Sequence, residues 1–227
     1  MNLPIEILLA LLVWGTFVGI DLVSLPQMMI ARPLVAGAIA GTILGDIPTG
    51  LKLGVMFELL QYDILPVGAV RYPEYGPATV AAVATAHASA GVLGLGLGAL
   101  VGIVTGLIGG ITINLLRRLN STIVHAAAAA LESGDPKALV RVHVGGLLRD
   151  AARAALVTAS GLFLAWLARP LLAGALTTRG ATLLAVAAIA AALAAGAAGT
   201  LRLVGRGPNL AWFGAGLGAG LLVAWLR

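Results

Sequence analysis

The sequence predicts an all-α membrane protein, a polytopic helical bundle with re-entrant or broken helices. Three observations point there. Hydrophobic residues make up 60% of the chain and charged residues only 10%, against about 25% charged in soluble domains. Several apolar stretches approach or exceed the roughly 20 residues that cross a hydrocarbon core as helix, with no period-2 alternation to suggest a barrel. Two further apolar stretches are too short to span and are separated by Gly/Pro punctuation, the pattern of discontinuous transporter helices.

Taken in order, residues 3–21 predict a first helix, retained because it lacks a basic leader region and carries Glu6 near its start. Leu25-Pro26 breaks the chain after it. Residues 33–45 and 51–62 are short apolar halves around GDIPTG, which predicts a re-entrant hairpin or a discontinuous helix, the alternative being one long kinked helix. Residues 65–76 form a loop rich in Gly and Pro, followed by another short apolar piece at 77–89. Residues 91–116 predict a full-length helix in which Gly94, Gly98, Gly102, Gly106 and Gly110 recur every four residues, a surface for close helix contact. A partly polar region with an LESGDPK interruption predicts a cytoplasmic or interfacial helical hairpin. Asp150 and Arg153 flank the entry to the next span, which is expected to end at Arg169-Pro170. Two last spans are expected at 183–204 and 210–226, with GAGLGAG in the latter suited to close packing. The chain reads as a single membrane domain, 1–227: N-terminal helices with the hairpin at 1–116, the connection at 117–153, and C-terminal helices at 154–227.

The net charge of +5 does not call for nucleic acid. Arg117, Arg118, Lys137, Arg141, Arg149 and Arg153 lie in one connecting region, which the positive-inside rule assigns to the cytoplasm. Cysteine is absent, which excludes disulfides and thiolate chemistry. His125 and His143 are too isolated for a metal cluster, and there is no GxxxxGK[ST], HExxH or GxSxG motif. No cofactor or metal is expected.

Charge inside the apolar N-terminal half is costly and marks the place to look for function. Arg32, Asp46, Lys52, Glu58, Asp63, Arg71 and Glu74 fall in one segment. Glu58 stands one helical turn from Tyr62, with Gln61 at i+3, so an acceptor, an amide and an aromatic share one face. Sugar sites use that mixture, because carboxylates and amides bond vicinal hydroxyls while a ring covers the C–H face. The alternative is a salt bridge from Glu58 to Lys52 or Arg71. Asp46 is placed to cap the second half-helix. Asp21 and Gln27 flank the first break and can add polar groups to the same cavity. Arg71 and Glu74 are expected to pair across a proline turn and fix their loop. Arg32, Arg71 and Glu74 are thus assigned structural or gating roles.

RPLVAGAIAGTILGD, TGLKLGVMFELL and PVGAVRYPE together resemble the IIC membrane subunit of the mannose/fructose/sorbose group of bacterial sugar phosphotransferase systems. The resemblance is close over residues 21–81 and rests on hydropathy and overall order beyond them. It implies a sugar-permease subunit of the bacterial inner membrane, non-catalytic itself, that binds and conducts a hexose-type sugar. It further implies oligomeric assembly with a IID membrane subunit and work with cytoplasmic IIA and IIB proteins, of which IIB phosphorylates the emerging sugar. Glu58 matches the glutamate that ends the family's hairpin motif and inherits a sugar-contact role. Asp46 matches the aspartate of the LGD turn, with a site-shaping role. Val55, Met56 and Phe57 put bulk where many members have small or hydroxylated residues, so specificity can differ. The chain is also short beside the family, which leaves a non-transporting scaffold or sensor of phosphotransferase components as the alternative, with ion-driven sugar transport as a third reading.

Overall fold

The computed structural model describes residues 3–62, 64, 70–89, 91–172, 175–204 and 208–225. These form helices α1 (Ile5–Asp21), α2 (Pro33–Leu44), α3 (Ile47–Gln61), α4 (Tyr75–His87), α5 (Gly91–Ala126), α6 (Ala128–Glu132), α7 (Pro136–Leu172), α8 (Thr178–Val204) and α9 (Pro208–Trp225). No strand occurs among the described residues, and α5, α7 and α8 contain stretches long and apolar enough to cross a membrane. The protein is a multi-pass membrane protein.

The break after α2 produces a hairpin, not a kinked helix. Gly45 adopts a left-handed φ of 70° at the end of α2, a conformation that costs a glycine little. Asp46 then caps α3, its Oδ1 accepting from the Thr49 N–H at 3.2 Å. Facing glycines let the two helices fold back until their backbones touch. A Cβ added at Gly37 would lie 2.5 Å from the Gly50 carbonyl oxygen, and one at Gly41 would lie 2.8 Å from the Asp46 carbonyl oxygen. At about 18 Å and 22 Å of axial rise, neither helix crosses a 30 Å core.

At the centre lies α4, buried at every residue from Tyr75 to Ala86. Its run of Ala, Thr and Val suits a helix surrounded on all sides. The glycine ridge of α5 receives it: a Cβ at Gly98 would stand 2.7 Å from the Ala82 carbonyl oxygen, and one at Gly106 would stand 3.0 Å from the Tyr75 ring. Gly102 lies against the Phe57 ring of α3, which in turn packs on Tyr75 with centroids 5.3 Å apart. The four-residue glycine spacing is therefore a contact surface, as its sequence indicated.

These neighbours fix direction. Leu53 and Phe57 lie beside Gly98 and Gly102, while Gly196 of α8 lies beside Leu59, so α3, α5 and α8 run the same way. α4 opposes α5, and α7 opposes α1, since Gly15 meets Thr158 and Gly19 meets Ala154. The tips at Asp46 and His87 and the start of α5 share one end of the bundle; the end of α1 lies toward the other. There α5 runs on to Ala126, beyond the expected stop near Leu116, because no breaker intervenes before Gly134, Asp135 and Pro136. The basic connection consists largely of continuations of α5 and α7. Pro170 sits inside α7 instead of ending it. The close packing expected from GAGLGAG is not made within the described chain, where Gly214, Gly216 and Gly218 of α9 face open space.

Candidate functional site

Glu58 projects from α3 toward the start of α2. It forms a salt bridge with Arg32 and accepts from the Leu34 N–H at 3.2 Å. One carboxylate thus neutralises a guanidinium and satisfies a free N–H in the first turn of α2, where the helix dipole also favours negative charge. The partner is Arg32, not Lys52 or Arg71, because the hairpin fold returns α3 to the beginning of α2. The pair is partly withdrawn from solvent: side-chain exposure is 40% for Arg32 and 20% for Glu58. Gln61, one turn further on, is buried.

The other sequence-nominated residues lie in different places. Asp46 sits at the hairpin tip, where His87 at the end of α4 approaches its Oδ2 at 3.5 Å. Asp21 is buried and turned to the backbone, accepting from Met28 N–H at 2.7 Å and Ala31 N–H at 3.0 Å. It thereby clamps a loop in which Gln27 and Met29 adopt positive φ. Gln27 lines a cavity of about 530 Å³ at the basic end of the bundle, together with Ser24, Arg117, Asn120 and Ser121. Tyr62 is exposed. Asp63 and residues 65–69 of the loop lie outside the described residues.

The expected Arg71–Glu74 pair does not form. Arg71 points to the surface, whereas Glu74 is fully buried and held by Arg153 of α7. Arg153 Nη1 donates to Glu74 Oε2 at 2.5 Å and Nη2 to Oε1 at 3.0 Å, while Nε donates to Asp150 Oδ1 at 2.9 Å. Nη2 also donates to the Gly19 carbonyl at 3.2 Å, and the Ser24 hydroxyl donates to Asp150 Oδ2 at 2.5 Å. This network joins α1, α4, α7 and the loop after α1. Proximity in sequence could not compete with it: a proline turn holds Arg71 outward, while a fork of donors from α7 satisfies both oxygens of a carboxylate out of water. Sequence reading missed the network, though its signal was present as an Asp-Arg pair at i, i+3 at the entry to an apolar run. A second tie holds the loop that Arg71 was expected to fix. Arg117 donates to the Val70 carbonyl at 3.2 Å and the Tyr72 hydroxyl at 3.0 Å, with its guanidinium 5.5 Å from the Tyr72 ring centroid.

Among the described residues no cluster of His, Asp or Glu is arranged to hold a metal. The arrangement offers hydrogen-bonding groups and paired charge on a two-helix element. The family model of the PTS system sorbose-specific IIC component matches residues 5–219. The chain belongs to this family. Its curated relatives include the mannose-specific EIIC component of Escherichia coli K12, 28% identical over 132 residues, covering 58% of this chain and 49% of that protein. The sorbose-specific EIIC component of Lacticaseibacillus casei is 29% identical over 154 residues, covering 68% and 54% respectively. The fructose permease IIC component of Bacillus subtilis 168 is 27% identical over 151 residues, covering 66% and 55%. The chain thus matches about half the length of each of these IIC relatives.

Solved structures agree on the fold. One, described as a membrane protein, superposes with a TM-score of 0.79 at 20% identity over 99% of this chain and 92% of that one. The mannose transporter ManYZ, in complex with microcin E492, superposes at 0.58 and 20% identity over 97% and 88%. For this IIC-family chain the α2–α3 hairpin with its Arg32–Glu58 pair is the candidate site.

Proposed function

We propose that this chain is the sugar-permease subunit of a mannose-type phosphotransferase system in a bacterial cytoplasmic membrane. The match of the IIC family model across residues 5–219 carries this reading. The whole chain acts as one membrane domain, binding a hexose-type sugar and passing it to the cytoplasmic IIB protein, which works with IIA, for phosphorylation. It works with a IID membrane subunit as an oligomer.

Glu58 is the sugar contact. Arg32 and the Leu34 N–H engage its carboxylate; vicinal hydroxyls of a hexose donate to the same carboxylate, and Gln61 adds an amide that donates and accepts. Arg32 then acts as a gating partner, since binding must loosen or share its ion pair. Asp46 shapes the site from the hairpin tip, and Asp21 does so through the loop it clamps. Gln27, with Asn120 and Ser121, supplies hydroxyl partners at the basic end, where the cavity is large enough for a small ligand. Glu74 is the structural anchor, and Arg71 contributes at the surface.

The deciding experiment is hexose uptake and phosphorylation in vesicles containing this chain with its IID, IIA and IIB partners, with and without phosphoenolpyruvate and the general phosphocarrier proteins. Phosphorylated sugar is expected only when this chain and phosphoenolpyruvate are both present. Accumulation of free sugar would indicate ion-coupled transport, and no uptake by an assembled complex would indicate a scaffold.

A further inference from the structure

A groove of about 600 Å³ runs between α3, the start of α5 and α8. Its walls include Val55, Met56 and Leu59 of α3, with Ile189 and Leu193 of α8. They offer almost no hydrogen-bonding groups, so a sugar or water column entering here would leave its hydroxyls unpaired. One charged side chain stands on its wall, Lys52. Lys52 forms no ion pair among the described residues, since Asp46 is engaged by Thr49 and His87, and Glu58 by Arg32. It lies five residues into α3, about 8 Å along the axis, toward the end of the bundle remote from Arg117 and Arg118. An apolar trough with an unbalanced cation near one mouth has the chemistry of an amphiphile site: an acyl chain fills the trough and an anionic headgroup meets the ammonium, which a lysine can raise toward the interface.

We propose that this groove holds an acyl chain of an anionic phospholipid from the leaflet remote from the basic end, with its phosphate on Lys52. The lipid would then pack directly on α3, the helix that carries Glu58, and on α8 at once.

The test uses the full chain in phosphatidylcholine nanodiscs containing a phosphatidylglycerol with a photoreactive acyl chain, compared with the matching photoreactive phosphatidylcholine. Crosslinks are mapped by mass spectrometry and normalised to α1, whose Leu9, Val13 and Phe17 are exposed. Preferential phosphatidylglycerol labelling of residues 51–59 and 185–193 is expected. K52Q should lower the phosphatidylglycerol preference about five-fold, the equivalent of the roughly 1 kcal/mol that a basic residue contributes near anionic headgroups; K52R should retain it. I189W, at a half-exposed groove position, should reduce labelling by both probes without changing α1. Equal labelling by the two probes, or a preference untouched by K52Q, overturns the proposal. Loss of groove labelling when the IID subunit is co-assembled also overturns it, since the groove would then be a subunit interface. None of these readouts depends on sugar transport, so the lipid site and the permease role fail separately.

Discussion

Arg153 donates to Glu74, Asp150 and the Gly19 carbonyl, so Arg153→Met would leave two buried carboxylates without their cation. Removing one partner of such a pair costs about 3–5 kcal/mol, and thermal unfolding in detergent should show a large loss of stability. Adding Glu74→Gln to that variant should recover part of it; a single variant as stable as the parent would contradict the network. Glu58→Gln belongs to a different class. It preserves size and can still accept from Leu34, so assembly should remain normal, while uptake should weaken by roughly ten- to a hundredfold, the scale of a hydrogen bond to a charged group. Unchanged uptake would remove Glu58 from the site. Arg71→Ala, at an exposed position unpaired with Glu74, should change stability by no more than about 0.5 kcal/mol. The residue types were legible in sequence, but partners were not. Asp46 as a cap could be foreseen because a cap acts within three residues, whereas Glu74 and Arg153 meet across 79 positions.

The α2–α3 hairpin depends on glycines that no other residue can replace without separating two backbones. A Cβ at Gly50 would enter the space of the Gly37 carbonyl oxygen. Gly50→Val should therefore open the hairpin, destabilise the protein by about 1–3 kcal/mol and abolish uptake, as scored by thermal unfolding and vesicle transport. Gly146→Ala, where a Cβ meets nothing within 4 Å, is the matched control and should be silent. The Gly/Pro punctuation made the break visible in advance. Choosing hairpin over kink required the left-handed Gly45 and the facing glycine pairs, which exist only after the fold-back. The same limit applies to α9: its glycines suggested close packing, yet no described part of this chain approaches Gly214, Gly216 or Gly218.

Across the whole molecule, the basic continuation of α5 and α7 lies at one end and the hairpin tips at the other. The positive-inside rule predicts that the basic end faces the cytoplasm and that α1 begins toward the outer face. The absence of cysteine makes this directly testable with single-cysteine variants in intact cells. A cysteine replacing exposed Thr177, between α7 and α8, should react with a membrane-impermeant maleimide. One replacing Gly134, in the turn between α6 and α7, should react only after permeabilisation. The opposite pattern would invert the molecule. Hydropathy and glycine spacing by themselves determined the membrane class, the long apolar helices and the interrupted segment, because those properties depend on composition and on contacts within a few residues. The motif run further identified the family resemblance. Tertiary structure alone decided that Glu58 answers Arg32, that Glu74 is anchored by Arg153, and that Asp21 and Gln27 serve different places. Ion pairs out of water form where packing brings complementary groups together, and helices that lie far apart in the chain set that geometry.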